Sequence, residues 1–461
     1  MPKYSSSELA QWSGGQWEGA PPDSVEGVAT DTRALKDGTL YVALKGARFD
    51  GHDFVRQAFE AGARAALVRE DWPAAGPGPW LRVADTGAAL LRMAAGYRLA
   101  LRPQIVAVTG SAGKSTVKEL TAQVLAGSLP TARTHGNWNN EIGLPLSVLA
   151  MGRDTRVGVF EVGISHPGEM RPLCDVLKPT WAIVTNVGPA HAAFFGSLDA
   201  IAEEKAWVLR GLPADGVAVL NSDGGHYELL RRAAPARVIT VALEDRGAPD
   251  YFCATRDPRR DEAVIVERAT GERVLLRIPL PGAHQVSNVM QSVAVARGLG
   301  VGWDAIRAAL AGYSALPMRW EETLVGGIVV VNDAYNANPL SMRAALRAFA
   351  ERSMQGGKWL LLGGMLELGD REQEEHVALG RAVAGGQWEG LIAVGPHGEW
   401  IARGAEDGGM NRQRVFRCRD NREAAGVAAE KVPHGDALLL KASRGMRLEE
   451  IIEELRQRRR I

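Results

Sequence analysis

Cysteine is scarce in this chain. Only Cys174, Cys253 and Cys418 occur among its 461 residues, and they lie far apart. A disulfide framework is excluded, and a cysteine metal site is disfavoured, because both need paired or closely spaced cysteines. The scarcity is typical of a reducing compartment, so the cytoplasm is the expected location.

Net charge is also missing. Lys+Arg and Asp+Glu each total 54, which gives a formal charge of zero. A broad electrostatic attraction to nucleic acid or to an acidic membrane surface is therefore not expected. We expect no nucleic-acid partner, and a polyanionic ligand would have to bind at a local site.

Long hydrophobic runs are absent as well. No stretch of 18 or more apolar residues occurs, and residues 1–16 lack the pattern of a signal peptide. We therefore expect a soluble protein without a membrane span. The composition, 46% hydrophobic and 23% charged, is that of a globular protein, and the length predicts roughly two to four domains.

Short β-branched runs alternate with longer Ala- and Leu-rich stretches along the chain. This alternation indicates parallel α/β sheets. The breaks in the pattern predict a first α/β segment at 1–102, a second at 103–316 and a third at 317–461. Several strands of the second segment end in polar residues, as expected where a ligand binds at the carboxyl edge of a sheet.

A glycine-rich loop, TGSAGKST at 109–116, follows a hydrophobic strand and precedes an amphipathic helix. Glycines let backbone N–H groups surround phosphate oxygens, and the start of the helix adds positive partial charge. Lys114 would reach the β- and γ-phosphates of a nucleotide, and the Ser115 hydroxyl would bind Mg²⁺. Val108 stands where the usual pattern has a further glycine, so the loop is a shortened variant. A glycine-rich turn without a ligand is the alternative, against which the order strand, loop and helix argues.

Glu161 and His191 follow later strands of the same predicted sheet. A carboxylate and an imidazole at this edge could hold a second Mg²⁺ between a γ-phosphate and an acceptor group. A lone histidine is more often a surface or capped residue. Only the position that it shares with Glu161 indicates a function.

Lys205 lies on the apolar face of a predicted helix with Ile201 and Val208, whereas Glu203 and Glu204 lie off that face. Lysine is rarely buried without a partner. Either its stem packs while its amine reaches water, or its amine has a depressed pKa and takes up CO₂. The resulting carbamate would be an anion able to bind Mg²⁺.

Two later stretches are rich in polar residues: GAHQVSN at 282–288 and NDAYNANP at 332–339. Both are compatible with ordinary turns. Both would also suit a nucleoside, with its ring stacked and its ribose hydroxyls hydrogen-bonded. Arg319, just after the predicted domain join at Pro317, is a candidate to bind phosphate from the neighbouring domain.

Together these motifs resemble those of the ATP-dependent Mur ligases of peptidoglycan assembly, and the resemblance covers nearly the whole chain. GNWNNEIGLP at 136–145 and DAYNANPLSM at 333–342 resemble GNxNNEIGxP and DxYNANPxSM of the branch that adds D-Ala-D-Ala to a UDP-linked muramoyl tripeptide. Other branches have DYAH or DFAH at the second place. KASRGM at 441–446 resembles the family's KGSRxM.

The resemblance implies an α/β fold of three domains. These are a small N-terminal α/β domain at 1–102, a central P-loop ATPase-type domain with a parallel sheet at 103–316, and a C-terminal Rossmann-like α/β domain at 317–461. It implies that ATP phosphorylates the tripeptide carboxylate and that D-Ala-D-Ala attacks the acyl phosphate. The implied cofactors are ATP, two Mg²⁺ ions and a carbamylated lysine. The expected partners are UDP-N-acetylmuramoyl-tripeptide and D-Ala-D-Ala, and the chain is expected to be a monomer.

The resemblance also implies a role for each candidate residue. The catalytic set is Lys114, Glu161, His191 and Lys205, and the metal ligands are Ser115, Glu161, His191 and Lys205. The ATP-binding set is Gly110, Ser111, Ala112, Gly113, Lys114, Ser115, Thr116, His284, Asn288, Arg319, Asp333, Tyr335 and Asn336. The substrate-binding set is Asp31, Thr32, Arg33, Asp50, Gly51, His52, Asn139, Asn140 and Glu141.

The chain departs from the family pattern at a few places. Gln285 replaces a second Asn, Ile164-Ser165 replaces Ala-Asn, Gly364 replaces an Asp and Met318 replaces a Gly. None of these changes removes a proposed metal ligand or the loop lysine.

Three other functions fit parts of the sequence. A sister ligase or a folylpolyglutamate synthase would join a different amino acid, but the YNANP stretch argues against it. A nucleotide switch or motor would share the phosphate loop, but the chain lacks the guanine-reading NKxD motif. A noncatalytic nucleotide sensor would bind ATP without turnover, although every proposed ligand is retained.

Overall fold

The computed structural model describes residues 2–46, 49–73 and 78–459. Residues 74–77 of the predicted N-terminal domain lie outside these ranges, as do the first residue of that domain and the last two residues of the predicted C-terminal domain. Within these ranges the chain forms the expected three α/β domains, each with its own main sheet.

The N-terminal domain contains a sheet with the order β2-β7-β6-β5-β4, and β1 pairs with β3 beside it. The strands are β1 (Lys3–Ser5), β2 (Gln16–Glu18), β3 (Ser24–Glu26), β4 (Val28–Ala29), β5 (Leu40–Val42), β6 (Ala65–Arg69) and β7 (Trp80–Val83), and the helices are α1 (Ser6–Ser13), α2 (Val55–Glu60) and α3 (Thr86–Leu101). Short 3₁₀ turns lie at Thr32–Ala34 and Gly51–Phe54. All side chains of β5 are buried, as expected for a parallel strand covered on both faces.

The central domain contains the largest sheet of the described chain, with the order β16-β15-β14-β13-β12-β11-β8-β10-β9. Its strands are β8 (Gln104–Thr109), β9 (Thr131–Arg133), β10 (Val157–Glu161), β11 (Trp181–Val184), β12 (Val217–Asn221), β13 (Arg237–Ala242), β14 (Tyr251–Asp257), β15 (Glu262–Glu267) and β16 (Glu272–Arg277). Its helices are α4 (Lys114–Ala126), α5 (Gly143–Leu149), α6 (Met170–Leu177), α7 (Ala192–Phe195), α8 (Leu198–Lys205), α9 (Trp207–Arg210), α10 (Tyr227–Ala233), α11 (Ala283–Gly298) and α12 (Trp303–Ala311).

This sheet is not wholly parallel. Strands β14, β15 and β16 pair antiparallel and extend the parallel part at one edge. In β16 buried and exposed side chains alternate, because one face of the ribbon packs on the core while the other faces solvent. The sequence interpretation did not identify these strands.

The C-terminal domain contains a sheet with the order β17-β18-β22-β19-β20-β21. Its strands are β17 (Glu321–Val325), β18 (Ile328–Asn332), β19 (Lys358–Leu362), β20 (Gly390–Val394), β21 (Val415–Cys418) and β22 (Ala437–Lys441). Its helices are α13 (Pro339–Glu351), α14 (Glu372–Ala384), α15 (Gly395–Asp407), α16 (Asn421–Lys431) and α17 (Glu449–Arg458), and 3₁₀ turns lie at Gly369–Arg371, Arg412–Arg414 and Arg444–Met446.

The register of the central sheet brings its polar strand ends together. Glu161 lies opposite Val108, and Val184 lies opposite Thr109. The glycine-rich loop, Glu161 and the residues after β11 therefore emerge at one edge. In the described ranges no helix is both long and apolar enough to cross a membrane.

Candidate functional site

The glycine-rich loop connects β8 to α4, and its glycines occupy positions that a side chain could not. Gly110 has a φ of 148°, and a Cβ there would lie 1.9 Å from Thr185 Oγ1. Gly113 has a φ of 82° and precedes the first residue of α4, Lys114. At these glycines no side chain covers the loop backbone. A ligand can therefore approach the N–H groups that point outward at the start of the helix.

The segment after β11 holds the loop in place. Thr185 Oγ1 donates to Ala112 O at 2.6 Å, and Ala112 N donates to the Asn186 side-chain oxygen at 2.9 Å. The Ser111 hydroxyl donates to Gly188 O at 2.8 Å. Because these contacts lie within one domain, the shape of the loop is fixed before any ligand binds.

Lys114 is folded back onto its own loop. Its Nζ donates to Gly110 O at 2.9 Å. Burial lowers the pKa of Lys114, and Arg319 lowers it further, whereas Glu161 opposes this shift. An ammonium with so little solvation would gain from an anionic ligand such as a phosphate.

Glu161 is a buried carboxylate at the end of β10. Its Oε1 accepts a 2.7 Å hydrogen bond from Asn139 Nδ2, while its Oε2 has no partner in the described part of the chain. An uncompensated buried oxygen of this kind is costly, and carboxylate oxygens are ligands that Mg²⁺ prefers. The residue therefore fits a cation at this position.

His191 and Lys205 lie close to Lys114. Burial lowers the pKa of His191 and the nearby Lys114 adds to this, whereas Glu367 opposes it. Burial also lowers the pKa of Lys205 well below its usual value, again with a contribution from Lys114. Lys205 is only 2% exposed, so most of its side chain, including the stem, is packed inside the domain.

Across the described ranges the Lys205 side chain makes no hydrogen bond or ion pair with another residue. Its neighbour Glu204, predicted off the apolar face, is buried too, because its Oε1 accepts from Met170 N at the start of α6. No group of three or more His, Cys, Asp or Glu side chains that could hold a metal occurs within the same ranges. Mg²⁺ commonly takes one or two protein carboxylates and completes its shell with phosphates and water, so the lone Glu161 is compatible with this ion.

Arg319 reaches the loop from the C-terminal domain. Its guanidinium donates to Ser115 Oγ at 2.8 Å and lies 4.1 Å from the centre of the Tyr335 ring. Met318 and Trp320, on either side, have φ values of 60° and 59°. This backbone conformation favours glycine, which explains why the family pattern has a glycine where this chain has Met318.

An ion pair between the buried Lys441 and the partly exposed Asp333 lies two residues before Tyr335 in the chain. Lys441 Nζ binds Asp333 Oδ2 at 2.6 Å and donates to Asn336 O at 3.2 Å. Opposite this pair, burial lowers the pKa of His284 to about 4, with Lys441 adding to the shift and Asp333 opposing it. His284 is therefore neutral at pH 7.

Gln285 connects two candidate nucleotide-binding residues. Its side-chain nitrogen lies 3.1 Å from His284 Nε2, and its oxygen accepts from Asn288 Nδ2 at 2.8 Å. The departure from the family's Asn thus lies inside the predicted ATP site. The longer side chain spans both neighbours.

The structure brings most of the predicted nucleotide and metal residues to one cleft between the central and C-terminal domains, but it leaves the N-terminal candidates elsewhere. Asp31 caps the turn at Thr32–Ala34, and its hydrogen bonds from Arg33 lower its pKa to about 2. His52 is buried, with Nδ1 2.6 Å from Asp50 and Nε2 accepting from Arg69 N. Both of its ring nitrogens are occupied, so its role in the structure is to hold the loop.

The side chains of Asn139, Asn140 and Glu141 do not contact a common site. Asn139 binds Glu161, whereas the Asn140 side chain accepts from Gly143 N at the start of α5. Glu141 is exposed. Only Asn139 of these three touches the predicted metal site.

Several residues of the site were not predicted. Asn186 braces the loop, Asn338 Nδ2 donates to Ser111 O at 3.1 Å, and Glu367 binds His191. Asn338 lies in the YNANP stretch and Asn186 follows a strand, so the sequence contained a feature from which each could have been predicted as a site residue. Glu367 lies three positions after Gly364, in a stretch that resembles a family motif, but nothing in that stretch indicates its partner His191, which lies 176 positions away.

Comparisons with known proteins agree with this geometry. Residues 24–98 match the description "Mur ligase family, catalytic domain", residues 108–296 match "Mur ligase middle domain", and residues 318–444 match "Mur ligase, glutamate ligase domain". The chain is 37% identical to UDP-N-acetylmuramoyl-tripeptide–D-alanyl-D-alanine ligase of Bacillus subtilis, over 94% of this chain and 93% of that one. It is 34% identical to the Escherichia coli protein of the same name, over 98% of each chain.

Solved structures are similar as well. MurF from Acinetobacter baumannii has a TM-score of 0.89 at 28% identity and covers 99% of both chains. MurF ligase from Thermotoga maritima in complex with ADP has a TM-score of 0.82 at 28% identity, over 94% of this chain and 98% of that one. On the strength of its fold, its phosphate loop and these matches, the chain belongs to the Mur ligase family.

Proposed function

We propose that this chain uses ATP to join D-Ala-D-Ala to UDP-N-acetylmuramoyl-tripeptide in peptidoglycan precursor synthesis. One observation carries the proposal: both stretches typical of this branch touch the phosphate site. Asn139 of the first binds Glu161, and Asn338 of the second binds the backbone of Ser111. The relatives at 37% and 34% identity carry the corresponding name.

The proposed ATP site has two sides. The loop Gly110–Thr116 binds the phosphates, with Lys114 on the γ-phosphate. The nucleoside lies against His284, Asn288 and the stretch from Asp333 to Asn336. ADP in the related Thermotoga maritima structure supports a nucleotide at this site.

Glu161, His191, Ser115 and the carbamate proposed for Lys205 are the groups proposed to hold two Mg²⁺ ions. The unpaired Oε2 of Glu161 is the strongest support, since it is a buried oxygen in need of a positive partner. When bound, Mg²⁺ neutralises charge on the transferring phosphoryl group. Arg319 approaches the same place from the other domain and is proposed to bind phosphate there.

The reaction proceeds in two steps. The terminal carboxylate oxygen of the tripeptide attacks the γ-phosphorus, the bond to the ADP oxygen breaks, and an acyl phosphate forms. The amine of D-Ala-D-Ala then attacks the acyl carbon, an amide forms, and inorganic phosphate leaves with a proton released from nitrogen. We propose that closure of the C-terminal domain over the central domain excludes water during the reaction, which would protect the acyl phosphate from hydrolysis.

Lys205 is proposed to be carbamylated. Its burial, its lowered pKa and its lack of a partner among the described residues make it an amine that is available to CO₂. The carbamate anion would offset the positive charge of Lys114 nearby. We expect Lys205→Ala to lose activity and short carboxylates such as acetate or formate to restore part of it.

A matched control for this experiment is Lys178→Ala, since Lys178 is exposed and pairs only with Asp175 on the surface. The carbamate role is contradicted if Lys205→Ala is as active as wild type. It is also contradicted if added carboxylate raises the activity of both variants equally.

We further propose that residues 1–102, including Asp31–Arg33 and Asp50–His52, receive the UDP-sugar part of the substrate, with His52 contributing through the loop that it holds rather than through its ring nitrogens. The domain limits at 102 and 316 belong to the same proposal. The chain is proposed to act as a monomer in the cytoplasm.

The experiment that tests the function is phosphate release from ATP and Mg²⁺ with the UDP-muramoyl tripeptide and D-Ala-D-Ala supplied singly and together. We expect release only with both, and none from Lys114→Ala. L-Ala-L-Ala is the control for the dipeptide, and free amino acids test for a sister ligase. Release without either substrate would contradict the proposal in favour of a nucleotide switch.

A further inference from the structure

The turn that follows β19 contacts the predicted metal site from the C-terminal domain. Glu367 Oε2 lies 2.5 Å from His191 Nδ1, and Glu367 O accepts a 3.1 Å hydrogen bond from Ala193 N. A Cβ on Gly369 would lie 3.0 Å from Ala193 Cα. The segment 366–369 therefore lies directly against the segment that carries His191.

Both partners hold uncommon backbone conformations. His191 has a φ of 58° and Glu367 a φ of 65°, where residues other than glycine are strained. The side chain of Glu367 is 50% exposed, and an exposed ion pair stabilises a protein little. Stability alone therefore does not account for two strained residues that meet across a domain interface.

The rest of the turn is firmly held. His376 is fully buried, and its Nε2 accepts from Met365 N at 2.8 Å. The Ser443 hydroxyl accepts from Leu366 N at 2.9 Å. Because Glu367 projects from this supported backbone, it reaches His191 as a fixed group rather than as a loose surface side chain.

We infer that Glu367 is a positioning residue that orients His191 for metal binding. A histidine that binds a metal usually donates its other ring N–H to a carboxylate, which fixes the tautomer and the ring orientation. Here the carboxylate engages Nδ1, and Nε2 has no partner in the described ranges. Nε2 is thus left with its lone pair free.

This inference rests on the proposed role of His191 as a Mg²⁺ ligand, and it adds a condition to that role. His191 belongs to the central domain, whereas Glu367 belongs to the C-terminal domain. The metal site is therefore complete only when the two domains meet. ATP bound to the central domain alone would face an unoriented His191.

The direct test is a two-bond ¹H–¹⁵N NMR spectrum of the histidine rings in protein labelled with ¹⁵N-histidine, recorded with ADP and Mg²⁺. The chain has nine histidines, and His191→Gln identifies the signal of interest. We expect wild type to show His191 protonated at Nδ1 only. Glu367→Ala should shift this signal toward a mixture of tautomers, and Glu367→Gln, which keeps an acceptor oxygen, should shift it less.

Kinetics provide a second readout. We expect Glu367→Ala to raise the Mg²⁺ concentration needed for half-maximal activity by roughly 10- to 100-fold, with little change in KM for ATP at saturating Mg²⁺. Asp370→Asn is the control, since Asp370 lies in the same turn, is exposed and has no partner within the described ranges. It should behave as wild type.

The possible failures are separable. If His191→Gln leaves the Mg²⁺ requirement unchanged, the proposed role of His191 is wrong and this inference is wrong with it. If His191→Gln raises the requirement while Glu367→Ala changes neither the spectrum nor the requirement, the inference alone is overturned.

Discussion

The phosphate loop is held from two sides in different ways. On the side of its own domain, Thr185 and Asn186 bind the backbone of Ala112, and Gly188 O accepts from the Ser111 hydroxyl. On the other side, Arg319 and Asn338 reach it through one hydrogen bond each. The first set is fixed by strand register and is always present, whereas the second exists only while the domains touch. Nucleotide binding and catalysis should therefore respond to different mutations.

The substitution Gly110→Ala disrupts the contacts that hold the phosphate loop within its own domain. A Cβ would lie 1.9 Å from Thr185 Oγ1 at a φ of 148°, and crowding together with backbone strain costs about 4 kcal/mol. We expect roughly a 1000-fold loss of nucleotide affinity, measured by calorimetry. Gly127→Ala at the other end of α4, where no atom lies within 4 Å of the added Cβ, is the control. Unchanged affinity in Gly110→Ala would contradict the proposed packing.

The free energy of unfolding should depend on pH through His284. Its pKa of about 4 in the folded protein lies below the usual 6.5, so the unfolded chain takes up its proton first as the pH falls. The contribution of His284 to stability is complete above pH 6.5 and is lost progressively toward pH 4, by about 3 kcal/mol in total. Urea unfolding at several pH values should show a smaller loss in His284→Gln.

The matched control for His284 is His434→Gln, because His434 is exposed. This variant should keep the wild-type dependence of unfolding free energy on pH. An identical dependence in His284→Gln and wild type would contradict the lowered pKa and neutral state of His284.

The substitution Arg319→Ala removes a contact that the C-terminal domain makes with the phosphate loop. Loss of a charge-assisted contact costs about 1.5–3 kcal/mol, so we expect kcat to fall roughly 10- to 100-fold while ADP affinity, measured by calorimetry, stays nearly constant. Arg347→Ala on the exposed face of α13 is the control. A parallel loss of ADP affinity in Arg319→Ala would show that the two sides are not separable.

We expect the smallest change in activity from Asn338→Asp, which separates the contact of Asn338 with the phosphate loop from its role as a helix cap. Asp keeps the side-chain oxygen that accepts from Ser341 N at the start of α13, but it loses the N–H donor to Ser111 O. We expect about a 10-fold fall in kcat and no change in melting temperature. A large drop in melting temperature would instead indicate that Asn338 matters mainly as a helix cap.

The sequence could predict what depends on local pattern. The order strand, glycine-rich loop, helix is local, so the position of Lys114 was predictable, and Glu161 followed from the carboxyl ends of neighbouring strands. The position of Lys205 on the apolar face of its helix also followed from helical spacing, although that spacing left open whether its amine reaches water. The family resemblance supplied the three-domain fold, which the structure and the comparisons confirm.

The sequence could not predict what depends on how distant segments meet. The contact between Glu367 and His191 spans 176 positions, and no spacing rule connects them. Strands β14 to β16 were missed because their alternating pattern is weak beside the buried parallel strands. The occupied ring nitrogens of His52 were also hidden, since a motif match gives no information about which atoms are already hydrogen-bonded.

The position of β8 within its sheet has a consequence for synthesis of the chain. This strand lies between β10 and β11, both of which are translated later, and the loop that follows it is braced by residues 185–188. Until the ribosome has made β10, β11 and residues 185–188, Lys114 and its loop lack both the neighbouring strands and the residues that brace the loop. A nascent chain therefore has no phosphate site until about residue 188 has left the exit tunnel, so nucleotide cannot assist the earliest folding of this domain.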